Sequence, residues 1–431
     1  MNREILRLAL PNIVTNITVP LLGMVDLMIV GHMPHTSYIG AIAIATMIFN
    51  MIYWIFGFLR MGTSGFTAQS YGSGDMEEAG RVLCRSFTVG LAIALILLLL
   101  QNPILSLTLS FVEGSEELKA IASRYYFINI WAAPAVLSLY SLKGWFIGMQ
   151  NSRLPMFIAI TINVVNICMS LLFVIVLKMD IEGVALGTLL AQYSGLAMAL
   201  WFLVGRYSDI LRGIDIKGSL VWLQMKRFFS VNADIFLRTI CLVAVFSFFP
   251  IAGSIFGDDI LALNTLLMQF FTIFSYIMDG FAYAGEALSG RFIGERSPIK
   301  LRKSIRGIFL WGVILTAVFT LVYATFGHSL LGVFTDKADI ILLAKKYYFW
   351  VLLIPISGFS AFLFDGIFIG ATSSRHMLYA IAVATLVFFA TYYSLSTYLG
   401  NNSLWLSLLL FLLLRGLLQW AMLKRGVYAK C

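Results

Sequence analysis

The chain of 431 residues is 60% hydrophobic and only 12% charged, with a mean hydropathy of +0.91. That balance excludes a soluble enzyme or soluble binding domain of this size and points to a polytopic membrane protein. A net charge of +9 does not argue for nucleic acid, because the basic residues sit in alternate loops, the positive-inside pattern of membrane chains.

In chain order there are about twelve apolar spans, with cores near 5–31, 38–71, 82–101, 118–147, 154–178, 183–205, 228–256, 260–290, 304–328, 340–369, 376–398 and 402–423. All are predicted to be helices, since a backbone in lipid must satisfy its own hydrogen bonds and no alternating ten-residue strands occur. Arg3 and Arg7 precede a first span too long for a signal-peptide core, and no A-x-A site follows, so no cleavage is expected. Arg81, Arg85, Arg153, the 206–227 segment, the 291–306 segment, Arg375 and Lys424 to Lys430 fall on one side, against Lys119, Lys178 and Lys337 on the other. This places both termini in the cytoplasm. The domain expectation is a six-helix lobe over 1–205, a cytoplasmic linker over 206–227 and a second six-helix lobe over 228–431.

The first span is unusual. Pro11 and Pro20 each remove a helix amide and favour a bend. Asn12 and Asn16 add polar groups, and Asp26 puts a carboxyl group inside the apolar run. An acid at that depth is costly when ionised and is a functional-site hypothesis by default, suited to taking up and releasing a proton. The alternative is an acid near the headgroups or one paired with a cation.

In the fifth span Asn163, Asn166 and Ser170 share one helix face, and in the sixth Thr188 and Gln192 are one turn apart. Such faces glue helices together, or they solvate a proton site at Asp26. Asp234 and Arg238 are four apart and are read as a structural ion pair. Asp279, Glu286 and Asp365 lie deeper. They either line a polar cavity or form a buried network with Arg60, Lys143, Arg238 or Arg415. The four histidines are scattered and imply no metal, and the four cysteines (Cys84, Cys168, Cys241, Cys431) lack metal spacing and read as free thiols. No phosphate loop or hydrolase constellation is present, which excludes ATP-driven pumping by this chain and hydrolysis.

The two halves repeat. Gly144-Trp-Phe-Ile-Gly148 with Ser152-Arg153 recurs as Gly366-Ile-Phe-Ile-Gly370 with Ser374-Arg375, and Tyr125-Tyr126-Phe127 recurs as Tyr347-Tyr348-Phe349, each 222 positions on. Six spans per half keep both halves in one orientation, as in transporters that rock two bundles about a central site.

The runs VDLMIVGH (Val25 to His32) and FGFLRMGTSGFTAQSYGSGD (Phe56 to Asp75) resemble the multidrug and toxic compound extrusion (MATE) family. DIFLRT (Asp234 to Thr239), GDDILALN (Gly257 to Asn264), DGFAYAGEALSG (Asp279 to Gly290) and DGIFIGAT (Asp365 to Thr372) resemble its DinF-like branch. The resemblance runs from the first span to the start of the eleventh. It implies an all-α fold of about twelve helices in two pseudo-symmetric six-helix lobes around a V-shaped cavity. It implies export of cationic or amphiphilic small molecules against protons, or against sodium, with no other cofactor. The protonated acid of the first helix falls on Asp26, and its polar neighbours on Asn166 and Thr188. Some relatives carry a second aspartate where this chain has Ser170, so a two-carboxylate relay, or a sodium site of two acids, lacks its second member here. The NorM branch uses a carboxylate in the seventh helix, and the deep part of that span, 239–253, has none, which leaves Asp279, Glu286 and Asp365 for any second-lobe site.

The expected protein is therefore a proton-coupled antiporter of the cytoplasmic membrane, working as a monomer among lipids, with Asp26 as protonation site and Pro20 as the bend. The rivals are a sodium-coupled exporter, a flippase for lipid-linked precursors and a passive channel. Arg60 and Lys143 alone are few for the strongly cationic cavity a flippase needs.

Overall fold

The computed structural model describes residues 1–31, 37–112, 115–335 and 337–431. Among them, twelve helices are long and apolar enough to cross a bilayer. They are α1 (Asn2–Gly31), α2 (Tyr38–Ser73), α3 (Met76–Leu99), α4 (Glu116–Gly148), α5 (Arg153–Val176), α6 (Ile181–Arg212), α7 (Trp222–Ser254), α8 (Asp258–Gly294), α9 (Pro298–Gly327), α10 (Asp339–Gly370), α11 (Ser374–Leu399) and α12 (Asn401–Lys430). No strand occurs among the described residues. His32 and His35 lie outside them.

Local chemistry sets the breaks. In α2 the segments Ser37–Ile55 and Phe58–Ser73 meet at Phe56-Gly57, and in α4 a 3-10 turn at Ile130–Ala132 precedes Pro134, which sits where a helix start tolerates proline. Asp75 caps α3 by accepting the Glu78 amide at 2.9 Å. The last turn of α5, Leu172–Val176, is π-helical.

The chain forms two compact units, Val14–Phe229 and Met1–Ile13 with Ser230–Cys431. Both boundaries fall inside helices, so the start of α1 belongs with the second half and the start of α7 with the first. Within the second unit, a Cβ on Gly280 of α8 would lie 2.3 Å from Ile13. Within the first, Phe228 packs on Phe66 at 5.9 Å, and the Arg227 guanidinium lies over the same ring at 5.5 Å. The segment expected as a linker is largely helical: α6 continues to Arg212 past a kink at Tyr207, and a short helix follows at Ile216–Ser219. Arg85 of α3 holds it, donating to Ser219 O at 2.6 Å and to Gln224.

In the first unit the buried Trp145 donates to Ala79 O at 2.8 Å, and the hydroxyls of Thr63, Ser86 and Ser141 form a chain at 2.5 and 2.7 Å. In the second, Asn264 and Asn401 exchange side-chain hydrogen bonds at 2.7 and 3.0 Å, and Trp405 donates to Asn264 at 2.9 Å. These satisfied polar groups fix helix pairs where lipid-like side chains alone would slide.

The repeat is written into the backbone. A Cβ on Gly144 would stand 2.3 Å from Arg60 O, and one on Gly366 would stand 2.0 Å from Ala282 O, 222 residues after Arg60. Gly148 meets Ser64 O at 2.8 Å as Gly370 meets Glu286 O at 2.2 Å. Left-handed residues recur at the same offset: Gly74 with Arg296, Gln150 with Thr372, and Lys178 with Gly400.

Candidate functional site

In the first unit α1, α5 and α6 bring Asp26, Asn166 and Thr188 together. The cause is close helix packing: a Cβ on Gly187 would lie 2.4 Å from Ser170 Oγ and 2.9 Å from Ser170 N, so α5 and α6 touch through backbone at this level. One residue on, Thr188 Oγ1 accepts from Asn166 Nδ2 at 3.0 Å. The same hydroxyl lies 3.5 Å from Asp26 Oδ2 and 3.1 Å from Val184 O. Its single proton serves one of these acceptors at a time. Asn166 also faces the Asp26 carboxyl.

Asp26, Asn166 and Ser170 are buried, and among the described residues Asp26 Oδ1, Asn166 Oδ1 and Ser170 Oγ have no hydrogen-bond partner. Among the described residues no cation forms an ion pair with Asp26. Asn163 shares the sequence face of Asn166 but stands apart, donating to Ala159 O of its own helix at 3.0 Å. Pro20 lies within α1, exposed, and removes the amide that would otherwise bond Asn16 O. Tyr125 of α4 was not singled out by sequence reasoning as a site residue. It is buried against Thr188 and within electrostatic reach of Asp26. Its signal was the repeated Tyr-Tyr-Phe.

In the second unit a different cluster forms. Asp365 of α10 accepts from Arg238 of α7, from Arg415 of α12 at 2.6 Å and from Gln419 at 2.7 Å. All four side chains are buried. This corrects the expected Asp234–Arg238 pair. Arg238 turns inward to Asp365, while Asp234, one turn earlier, accepts from Ser374 Oγ at 2.7 Å at the start of α11, where a helix N-terminus favours a carboxylate. Asp279 is half-buried within electrostatic reach of Arg415, and Glu286 is fully buried on α8. Of the two readings left open for these acids, Asp365 takes the buried network.

The repeat makes the contrast sharp. The positions 222 beyond Asp26, Asn166, Ser170 and Thr188 hold Phe248, Phe388, Tyr392 and Leu410. Phe248 packs on Phe388 at 6.1 Å and on Tyr392 at 5.1 Å, both edge-on. The same place in the fold is polar in one half and aromatic in the other.

Twelve helices long enough to cross a bilayer among the described residues, in duplicated halves with a buried acid in one of them, define a polytopic membrane protein of duplicated design. Residues 11–172 and 235–393 match the MatE family, one stretch in each half, and the chain belongs to that family of transporters; it is not an enzyme. It is 36% identical to the DNA damage-inducible protein F of Escherichia coli (strain K12) over 420 residues, 96% of this chain and 90% of that one. It is 24% identical to a probable multidrug resistance protein NorM of Rhizobium meliloti (strain 1021), covering 78% of this chain and 72% of that one. Among solved structures, a Vibrio cholerae MATE transporter in the bent form superposes with a TM-score of 0.87 at 18% identity, covering 100% of this chain and 97% of that one. A MATE family transporter of the MOP superfamily in an outward-facing conformation gives 0.85 at 18% identity, covering 100% and 96%.

Proposed function

We propose that this chain is a secondary active exporter of the cytoplasmic membrane, with both termini inside, that expels cationic or amphiphilic small molecules in exchange for protons. The observation that carries the reading is Asp26: a buried carboxyl with one unpartnered oxygen, no cation beside it and a hydroxyl that has two acceptors to choose between. When Asp26 is ionised, Thr188 donates to it. When Asp26 takes a proton, Thr188 is free to turn to Val184 O, and Asp26 itself becomes a donor. The Thr188 and Asn166 contacts thus differ between the two protonation states, and that difference is what a coupling ion must supply, since a ligand with equal affinity for two states shifts nothing. Pro20, six residues before Asp26 on α1, gives that helix a place to bend. Relatives carry multidrug names, which supports the substrate class.

A sodium reading has one observation in its favour. The unpartnered atoms at Asp26, Asn166 and Ser170 are all oxygens, the donors a hard cation takes, though with a single carboxylate among them. Proteoliposomes separate the two. With an imposed pH gradient and no sodium, the wild type is expected to move substrate uphill, and Asp26→Asn is expected to lose at least about a hundredfold of that rate while retaining its fold. Uphill transport by Asp26→Asn would overturn the assignment, and a wild type that needs sodium would replace the proton.

A further inference from the structure

The start of α9, in the second unit, carries basic side chains that no acid of that unit neutralises. Arg302, Lys303 and Arg306 stand exposed in its first turns. Among the described residues no carboxylate forms an ion pair with any of them. The nearby acids are committed elsewhere: Glu295 to Arg291 at 2.7 Å and Lys300 at 2.8 Å, and Glu4 of α1 to Arg291 at 3.7 Å. Exposed arginines at a water boundary need no partner, so their presence alone means little.

The repeat shows what is particular here. In the first half α3 opens with Asp75, Glu77 and Glu78. Arg81 pairs with both glutamates, and Arg85 with Glu78 at 2.7 Å. The positions 222 further on hold Ser297, Ile299 and Lys300, so all three carboxylates are gone. Arg302 and Arg306 stand where α3 has Gly80 and Cys84. The cover differs as well. A Cβ on Gly80 would lie 2.8 Å from Ile214 and 3.1 Å from Ile210, so protein roofs that face in the first half. In the second half the Arg302 guanidinium lies over the Tyr428 ring at 5.4 Å and stays exposed, with Arg306 within electrostatic reach of the same tyrosine.

The apolar part of α9 completes the shape. Leu310, Val313 and Ala317 continue the helix face of Arg302 and Arg306, and all three are exposed. Half of a bilayer's hydrocarbon core is about 15 Å, or about ten residues of helix. The strip beyond the arginines is therefore one leaflet long. We infer that Arg302 and Arg306, with Tyr428, form a docking site for an anionic phospholipid. The two guanidiniums take its phosphate through their forked donors, and an acyl chain lies along Leu310, Val313 and Ala317. The bound lipid joins α9 to the end of α12. On the orientation proposed above, its leaflet is the cytoplasmic one.

The test counts lipids bound to the full chain by native mass spectrometry, from uncharged detergent and with no gradient or transported substrate. Phosphatidylglycerol and phosphatidylcholine with identical chains are titrated in turn. The wild type is expected to prefer phosphatidylglycerol, and Arg302→Gln with Arg306→Gln to lose about thirtyfold in affinity for it while binding phosphatidylcholine as before. Arg302→Lys with Arg306→Lys keeps most of the preference. Arg153→Gln with Arg212→Gln, which removes as much charge from the first unit, keeps all of it. No preference in the wild type, an undiminished one in the double glutamine variant, or an equal loss in the Arg153 and Arg212 control would overturn the site. Displacement of the lipid by inorganic phosphate at the lipid's own concentration would mark a site for free anions and overturn it too. If the preference holds but vesicles export nothing, the exporter reading fails and the lipid site stands.

Discussion

At the scale of single residues, the two buried acids Asp26 and Asp365 differ in what surrounds them, and so in what they can do. Asp365 is held by two guanidiniums and an amide, and a charge so compensated is part of the frame. Its loss leaves Arg238 and Arg415 buried without a carboxylate. Asp365→Ala is therefore expected to destabilise the protein by about 3–5 kcal/mol, read as a lower midpoint of thermal unfolding in detergent. A smaller effect is expected at Glu295, in the turn after α8. Burial alone would raise its carboxyl, but hydrogen bonds from Lys300 at 2.8 Å and Arg291 at 2.7 Å outweigh this and hold it below the usual range. A depressed acid contributes stability above its unfolded value and loses it as pH falls through the folded one. Glu295→Gln should cost less than about 1 kcal/mol at neutral pH, and the gap from the wild type should close in acid, below the usual carboxylate range. Asp26 was legible as an acid inside an apolar span, whereas its grouping with Asn166 and Thr188 followed from the family resemblance and not from spacing, since the three stand on different helices. For Asp365 the sequence offered Arg238 and Arg415 among several candidate cations, but which of them it takes, and Gln419, were not legible, because they come from two other helices and no spacing along the chain relates them.

At the scale of elements, spans follow from apolar length, and their number and order could be read directly. Their ends could not. Polar residues such as Ser208 and Asp209 look like linker, yet α6 continues to Arg212 because the helix packs there: a Cβ on Gly80 would lie 3.1 Å from Ile210. The loops carry a second kind of information, in backbone conformation. Gly74 and Arg296 occupy equivalent left-handed positions, with φ of 77° and 50°. Glycine adopts that region without the steric cost that a side chain brings, about 1–2 kcal/mol, although it gives back part of the gain through the unfolded chain. Arg296 is exposed, and among the described residues none shares a hydrogen bond with its side chain, so Arg296→Gly should stabilise the protein by up to about 1 kcal/mol, seen as a raised unfolding midpoint. A drop would mean that its guanidinium does something the backbone does not reveal.

At the scale of the whole molecule, duplication supplied one helical frame and divergence gave its halves different interiors. The shared frame is carried by small residues at backbone contacts, such as Gly144 and Gly366, and these remained recognisable in the sequence because few other residues fit there. The interiors diverged because side chains that fill a given place need only suit one another. Around Asp26 they are oxygens; around Phe248 they are rings. This predicts that a carboxyl cannot simply be moved across the repeat. In Asp26→Asn combined with Phe248→Asp, the new acid faces Phe388 and Tyr392, loses the packing of a phenyl ring and gains neither an amide nor a threonine hydroxyl at the matching positions 388 and 410. Removing the ring alone costs about 3–5 kcal/mol, and an acid placed there is unsolvated as well. The double variant is expected to unfold at a lower temperature than Asp26→Asn and to show no recovery of gradient-driven export in proteoliposomes. Recovery would mean that coupling needs only an acid at that depth in either half, and that the oxygens of Asn166, Ser170 and Thr188 are incidental to it.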